Sequence, residues 1–201
     1  MKKKTFIYVY DKKGIPGYML YEMYEKKIVR YAGYQDVIEG LRLSGELEKR
    51  NDIQSMIYDR LTAFLNTRLS KSFDMVLARV IEINLGNCTV CVVDLAIGEE
   101  VEVFRAKKPY AQLDTLPKYV IDIDIKASED DIEDPITYCH DKIDRLLAHG
   151  IEYVIWIFST SKKIIIAQKG KNWEIIGWDQ SFAHIENIEI NLNKLLEGML
   201  F

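Results

Sequence analysis

The sequence predicts an α/β domain in which a mixed central β-sheet is flanked by helices and preceded by an antiparallel hairpin layer. Three observations support this class. Apolar and alternating segments typical of strands fill 6–31 and 75–104. Apolar residues at three- and four-residue spacing indicate helices at 51–69 and 135–149. A strand, a helix and a strand follow one another within 118–158, which is the order of a parallel crossover unit.

Length and composition predict one domain with a sizeable core. The chain has 201 residues, of which 48% are hydrophobic and 29% are charged, so it is not of disordered composition. We expect a single domain over 1–201, in which 1–50 form a hairpin and short helices and 51–201 form the core.

Composition also predicts a cytoplasmic protein without a membrane segment. No apolar run reaches the roughly 18 residues that span a bilayer, and the start is not followed by a signal-peptide core. Three cysteines are too few for a disulfide framework. The net charge of -4 provides no overall attraction for nucleic acid, although it leaves room for local basic patches.

The amino-terminal layer is predicted from strand-like segments at 6–11, 18–23 and 28–31. Its tyrosines fit either a half-buried sheet or a base-stacking surface, and β-propensity favours the sheet. One or two short helical segments are expected in 35–49.

A longer helix is predicted to begin at Asn51 or Asp52, both of which are N-cap residue types. Its apolar stripe consists of Ile53, Ile57, Leu61, Phe64, Leu65 and Leu69. Because these residues fall on one side of a helix, this side should pack on a sheet.

Two or three strands are expected in 75–104, with breaks near 85–87 and 98–100. The middle strand, 88–97, contains one acid, Asp94, within an apolar run. A lone carboxylate in such a run indicates either a strand end or a functional residue.

A strand at 120–126 carries the charges that suggest chemistry. Alternation would place Asp122, Asp124 and Lys126 on one face and isoleucines on the other. Charges beside a buried layer are costly unless they are solvated, paired or bound to a metal. Periodicity alone leaves a solvent-facing charge ladder and a functional site equally open. The acidic segment 129–134 is expected to be a solvated loop.

The next helix should begin with Asp134 as N-cap and Pro135 as its first residue, and should end before Gly150. Lys142 lies at the border of its apolar stripe, from which its side chain can reach a neighbouring strand. The apolar run at 153–158 predicts a strand that is buried on both faces and parallel to the charged strand.

The remaining segments predict a hairpin of 163–168 and 173–178 and a short strand and helix at 190–196. No catalytic triad, phosphate-binding glycine loop or zinc motif is present in the sequence. Cys88 and Cys91 have a C-x-x-C spacing, but residues three apart on a strand point to opposite faces.

Asp94 followed by Asp124-Ile125-Lys126 is a pattern of one acid and an acid-x-lysine. In metal-dependent phosphodiesterases the acids hold Mg²⁺, which polarises the phosphate and activates water, while lysine neutralises charge in the transition state. The pattern occurs often by chance, so it is a hypothesis that needs support from geometry.

Beyond these patterns, the chain from about Tyr21 onward resembles the Uma-two family of restriction-endonuclease-like proteins, which belongs to the PD-(D/E)xK nuclease class. The resemblance rests on Tyr21-Glu22-Met23, Asp94-Leu95-Ala96-Ile97, residues 117–123, Lys142, residues 150–157 and Ile188-Glu189-Ile190.

The resemblance implies a restriction-endonuclease-like fold and an endonuclease that uses Mg²⁺ or Mn²⁺ to cleave DNA. The metal ligands would be Asp94 and Asp122, with Asp124 as a further carboxylate. Lys126 and Lys142 compete for one role, which is to orient the water or to stabilise the phosphate. A homodimer is the assembly to test.

Three departures from the family pattern bear on activity. Val93 stands where the family has proline, Asp122 stands where it has glutamate, and Lys126 is an additional strand lysine. A shorter acid would move a metal by on the order of an ångström, which reduces catalysis sharply. The alternatives are therefore a non-catalytic nucleic-acid-binding or assembly protein that keeps the nuclease fold, and a nuclease that acts on RNA or a nucleotide.

Overall fold

The computed structural model describes residues 16–25, 27–47, 51–72, 75–99 and 116–198. In this part of the chain the helices are α1 (Tyr34–Ile38), α2 (Asp52–Ser72), α3 (Pro135–Ala148) and α4 (Leu192–Leu195). The strands are β1 (Leu20–Tyr24), β2 (Lys27–Arg30), β3 (Met75–Gly86), β4 (Thr89–Glu99), β5 (Tyr119–Ile123), β6 (Tyr153–Phe158), β7 (Lys163–Gln168), β8 (Glu174–Gly177), β9 (Phe182–Ile185) and β10 (Ile188–Ile190). The strand predicted at 6–11 lies outside the described residues.

Eight of the described strands form one sheet in the order β2-β1-β4-β5-β6-β7-β8, with β3 paired to β4. Strands β5 and β6 are parallel and are connected through α3, as predicted, whereas the other neighbours are antiparallel. The sheet is therefore mixed, and the predicted α/β class is confirmed.

Strand β4 is the branch point of this sheet. One of its edges pairs with β3 along the strand. The other edge is shared, because β1 pairs with it at Val90 and β5 pairs with it from Leu95 to Ile97. On this second edge, between β1 and β5, the amides of Val92 and Asp94 donate to side chains instead of to a described strand.

Helices α2 and α3 cover opposite faces of the sheet. Odd-numbered residues of β5 and β6, such as Ile121 and Ile155, pack with α2, whereas even-numbered residues, such as Val120 and Val154, pack with α3. Asp122 is an even-numbered residue of β5 and therefore faces α3.

Both long helices begin at the predicted caps. Asn51 Oδ1 accepts a hydrogen bond from the Gln54 amide at 2.8 Å, and Asp134 Oδ1 accepts one from the Ile136 amide at 2.9 Å. In both helices the apolar stripe begins one turn later than predicted, since the side chains of Ile53 and Ile136 are exposed.

The acidic segment 129–134 is a largely solvated loop, as expected, but that expectation is wrong for Asp131. Asp131 accepts hydrogen bonds from the Arg30 amide at 2.9 Å and from the Arg30 guanidinium at 2.6 Å. Asp130 accepts one from Gln35 at 2.8 Å. Because these partners lie on β2 and α1, the segment attaches the amino-terminal layer to the rest of the fold.

The carboxyl-terminal part contains the predicted β7–β8 hairpin, followed by a separate two-stranded sheet of β9 and β10. Of this second pair only the strand near residue 190 is predicted from the sequence, because β9 is short and contains no alternating pattern. None of the described helices is long and apolar enough to cross a membrane.

Candidate active site

Asp94 and Asp122 meet where β4 and β5 part. The Asp94 amide donates a hydrogen bond to Asp122 Oδ1 at 3.2 Å, and the Ile123 amide donates one to Asp94 Oδ2 at 2.9 Å. These bonds continue beyond the last backbone pair, Leu95 with Ile121. The two carboxylates therefore occupy fixed places in the sheet, and both side chains are buried.

Lys142 brings a lysine amine to the same place from α3. Its Nζ lies 2.8 Å from Asp122 Oδ2 and 2.7 Å from Glu22 Oε1, and it donates a hydrogen bond to the Val92 carbonyl at 2.6 Å. The sequence places Lys142 at the border of the apolar stripe, but the residue is 0% exposed. Its amine is thus held entirely by oxygens of the protein.

Glu22, on β1, is a member of this site that the motif analysis does not find. Glu22 Oε1 accepts a hydrogen bond from the Val92 amide at 2.9 Å, and Glu22 Oε2 accepts one from the Tyr138 hydroxyl at 2.6 Å and another from Tyr24. The available signal is an acid within a strand-like aromatic run, the same signal that identifies Asp94.

Asp124 does not face the other charges. Strand β5 ends one residue before it, and Asp124 has φ of 56°, which ends the alternation of side chains. Its carboxylate accepts hydrogen bonds from the Ser159 amide, the Ser159 hydroxyl and Gln54. The prediction that Asp122, Asp124 and Lys126 share one strand face is therefore wrong, and Asp124 fixes a turn.

Lys126 nevertheless reaches the site after this turn. Its Nζ lies 2.5 Å from Asp94 Oδ1, and its side chain is 19% exposed whereas that of Asp94 is 1% exposed. The literal acid-x-lysine pair is therefore not one unit, because Asp124 and Lys126 contact different groups. We call the set Glu22, Asp94, Asp122, Lys126 and Lys142 the acid–lysine cluster.

The acid–lysine cluster contains three acids and two lysines, so it has one excess negative charge when all five groups are ionised. Burial raises the pKa of Asp122, against the lowering effect of the Lys142 charge. Burial lowers the pKa of Lys142, but Asp122 and Glu22 raise it more, so that it stands well above the ordinary value. Lys142 is therefore an ammonium at neutral pH.

Aromatic rings enclose the Lys142 end of the cluster. The ammonium lies 5.4 Å from the ring centre of Tyr21 and 5.2 Å from that of Trp156. Tyr138 and Tyr24 separate Glu22 from a surface cleft of about 570 Å³. The Arg145 guanidinium lies over the Tyr24 ring at 3.5 Å from its centre. Solvent therefore reaches the cluster most directly at Lys126.

The resemblance to metal-dependent nucleases implies a divalent ion beside these carboxylates. Within the described ranges no three His, Cys, Asp or Glu side chains are grouped so as to hold a metal ion. Mg²⁺, however, often takes one or two carboxylates and keeps several waters. Asp122 Oδ2 is buried and pairs with the Lys142 ammonium at 2.8 Å. Together with the excess negative charge, Asp94 and Asp122 fit such an ion.

Comparison with known proteins gives a structural match without a sequence match. No protein-family model matches the chain, and no curated protein matches it. The chain is similar in structure to a protein from Anabaena variabilis described as a "putative nuclease belonging to DUF820". The TM-score is 0.65 at 14% sequence identity, and the match covers 89% of this chain and 90% of the other. This likeness confirms the restriction-endonuclease-like α/β fold.

Proposed function

We propose that the chain is a nuclease that hydrolyses DNA phosphodiester bonds with the help of a divalent metal ion. One observation carries the proposal: Asp94 and Asp122 converge with two lysine amines at the point where β4 and β5 part. Carboxylates and a cation next to them are what hydrolysis of a phosphodiester requires. The shared fold with a protein described as a nuclease supports the same conclusion.

Asp94 and Asp122 would hold Mg²⁺ or Mn²⁺, which in such sites polarises the phosphate and lowers the pKa of a bound water. Amides of β4 and β5 fix one oxygen of each carboxylate. These two groups are therefore oriented before any substrate arrives, which is the condition for electrostatic preorganisation.

The two lysines differ in exposure, and we assign their roles on that basis. Lys126 is the amine that solvent reaches, so it would contact the phosphate and stabilise the negative charge of the transition state. Lys142 is fully buried between Glu22 and Asp122, so it would compensate the charge of these carboxylates before the ion binds instead of touching substrate. Asp124 holds the turn that presents Lys126.

Plasmid nicking tests the proposal. Wild-type protein should nick supercoiled DNA with Mg²⁺ or Mn²⁺ and should be inactive with a chelator. Asp94→Asn should lower the nicking rate by at least about a hundredfold, because a neutral amide replaces a charged ligand. Asp144→Asn is the matched control, since Asp144 is exposed on α3. A folded wild-type protein without metal-dependent nicking would overturn the assignment as a nuclease.

The role of Lys126 has its own test, which is binding to DNA in the presence of Ca²⁺. Lys126→Gln should weaken binding uniformly across sequences and reduce the salt slope by about one. Lys171→Gln, in the exposed turn after β7, is the control and should leave the slope unchanged. Equal slopes for the two variants would mean that Lys126 meets no phosphate.

A second candidate function is a non-catalytic nucleic-acid-binding protein that keeps the nuclease fold. It is favoured by the burial of four of the five residues in the acid–lysine cluster. Filter binding with DNA and RNA, with cleavage measured on the same samples, separates the two functions and also tests RNA as the substrate. The homodimer stays a prediction, and light scattering during gel filtration would test it.

A further inference from the structure

The environment of the Lys142 ammonium resembles a cation site made of oxygens. Four oxygens surround Nζ: Glu22 Oε1 at 2.7 Å, Asp122 Oδ2 at 2.8 Å, the Val92 carbonyl at 2.6 Å and the Tyr21 hydroxyl at 3.5 Å. Hard divalent cations prefer carboxylate and carbonyl oxygens of this kind. The amine therefore lies where the ligands of an ion would converge.

The negative charge of the carboxylates around this position exceeds the positive charge of Lys142. Glu22 and Asp122 together carry two negative charges when ionised, and Lys142 carries one positive charge. Asp122 Oδ2 is buried and pairs with the ammonium at 2.8 Å, so release of the amine would leave this oxygen open to another cation. A divalent ion would neutralise both carboxylates.

We propose that the Lys142 ammonium occupies the cation position of this site in the metal-free protein, and that a divalent ion binds Asp122 only in exchange for it. The inference rests on the proposed function, because the same carboxylate serves both. An ammonium and a divalent ion repel each other and cannot share one oxygen at contact distance in a buried site. Three of the nitrogen–oxygen distances are 2.6 to 2.8 Å, whereas Mg²⁺–oxygen bonds are about 2.0 to 2.1 Å, so these oxygens would move inward on the ion.

The displaced amine would have to leave the position between these oxygens. Lysine has a flexible four-carbon stem, and the rings of Tyr21 and Trp156 lie 5.4 and 5.2 Å from Nζ. Aromatic faces attract ammonium groups in water-excluded surroundings. The exchange therefore requires the Lys142 side chain to rotate away from Glu22 and Asp122 and past these rings, which would make the amine accessible to reagents in solution.

Metal binding to a neutral variant tests the exchange without any measurement of activity. Lys142→Met removes the charge and keeps most of the length, so Mn²⁺ should bind about tenfold more tightly or better, which corresponds to about 1.4 kcal/mol. Lys142→Arg keeps the charge and should show no such gain. Titration calorimetry with Mn²⁺ gives both affinities, and near-ultraviolet circular dichroism verifies the folded state. A folded Lys142→Met protein that binds Mn²⁺ no more tightly than wild type overturns the inference.

Amine labelling of the wild-type protein decides the matter if Lys142→Met does not fold. Lys142 should react very slowly with an acylating reagent in the presence of chelator and faster in Mn²⁺, whereas exposed Lys171 should react equally in both. An unchanged rate at Lys142 in saturating Mn²⁺ overturns the exchange. Mn²⁺ binding that releases Lys142 without DNA nicking would instead contradict only the nuclease assignment.

Discussion

The buried carboxylate of Glu22 connects three elements of the fold. Its two oxygens contact Lys142, the Val92 amide and two tyrosine hydroxyls, and the residue is 3% exposed. Removing one partner from a buried ion pair leaves the other charge uncompensated, which costs more than the pair itself contributes. Glu22 therefore joins β1, β4 and α3 through charge and not only through packing.

Truncation of Glu22 should destabilise the fold strongly. Glu22→Ala should lower the free energy of unfolding by about 3 to 5 kcal/mol, because Lys142 loses a buried partner. Glu22→Gln should cost less, because its amide oxygen keeps the Val92 bond and Lys142 keeps Asp122. Urea unfolding gives the values, with Glu152→Gln on the surface as a control expected within about 0.5 kcal/mol of wild type. A Glu22→Ala loss as small as that of the control would contradict the importance of the pair.

Asp124 combines a left-handed backbone with a carboxylate that is fully used. Asp124→Ala should lose about 2 kcal/mol or more, because the Ser159 amide and hydroxyl lose their acceptor. Asp124→Gly also lacks the acceptor but adopts a φ of 56° without steric cost. The glycine variant should therefore be more stable than the alanine variant by about 1 kcal/mol. Equal unfolding free energies would show that the backbone conformation contributes nothing.

Helix α3 positions Lys142, and the start of this helix is clearly predicted by the sequence. Asp134 followed by Pro135 fixes the first turn, and Gly150, with φ of 115°, follows its end. The cap sets which residues face the sheet, since a shift of one residue rotates the helix by about 100 degrees. The position of Lys142 thus depends on a cap two turns earlier.

The Asp134 cap should act in a pH-dependent way. Hydrogen bonds from Thr137, through its side chain and its amide, lower the pKa of Asp134. A lowered pKa in the folded state gives stability that is present above the unfolded-state pKa and is lost as the pH falls. Asp134→Ala should therefore be less stable than wild type at neutral pH, and the difference should shrink at about pH 3. Urea unfolding at both pH values measures this, with Asp134→Asn as a cap without the charge.

Elements could be predicted from the sequence wherever the signal is local. The caps of α2 and α3 and the parallel strands β5 and β6 depend on neighbouring residues, and they are confirmed. The end of β5 could not be predicted, because the turn at Asp124 is held by Ser159 and Gln54, which are distant in sequence. Side chains alternate between the two faces only while the backbone remains extended, so the prediction from alternation places Asp124 on the wrong face.

The membership of the acid–lysine cluster was only partly predictable for the same reason. Asp94 is a candidate as a lone acid in an apolar run, and Asp122 and Lys126 are candidates as charges on an alternating strand. The family resemblance adds Lys142 and favours Asp122 as a metal ligand. Glu22 is not a candidate, since its role depends on β1 lying beside β4, and that placement rests on one backbone pair and on side chains. The local pattern marks Glu22 as an acid in an aromatic run, but it does not indicate which strand Glu22 will lie beside.

The whole molecule should be sensitive to alkaline pH. Burial raises the pKa values of the Tyr21 and Tyr138 hydroxyls and of the Cys91 and Cys139 thiols, that of Cys139 to about 12. The pKa of Lys142 is also raised. Groups with raised folded-state pKa values keep protons that the unfolded chain releases, so stability is retained below the unfolded-state values and lost above them.

Urea unfolding should therefore show constant stability up to about pH 8 and a decline beginning between about pH 9 and 10. Each retained proton contributes about 1.4 kcal/mol per pH unit to the slope. Tyr138→Phe removes one such proton, so its slope should be shallower by about that amount even though its overall stability is lower. Parallel slopes for wild type and variant would contradict the assignment of this proton.

The contact between β1 and α3 also sets an order of events during synthesis. The hydrogen bond from Tyr138 to Glu22 joins residues 116 positions apart. At typical translation rates this separation corresponds to roughly 6 to 23 seconds. During this interval Glu22 has already been synthesised, whereas its partners Tyr138 and Lys142 have not. The amino-terminal hairpin therefore lacks the contacts of Glu22 with Tyr138 and Lys142 until α3 has been synthesised, since contacts of long sequence separation form late. In the cell, the acid–lysine cluster would consequently be complete only after the last third of the chain, which contains α3, has begun to fold.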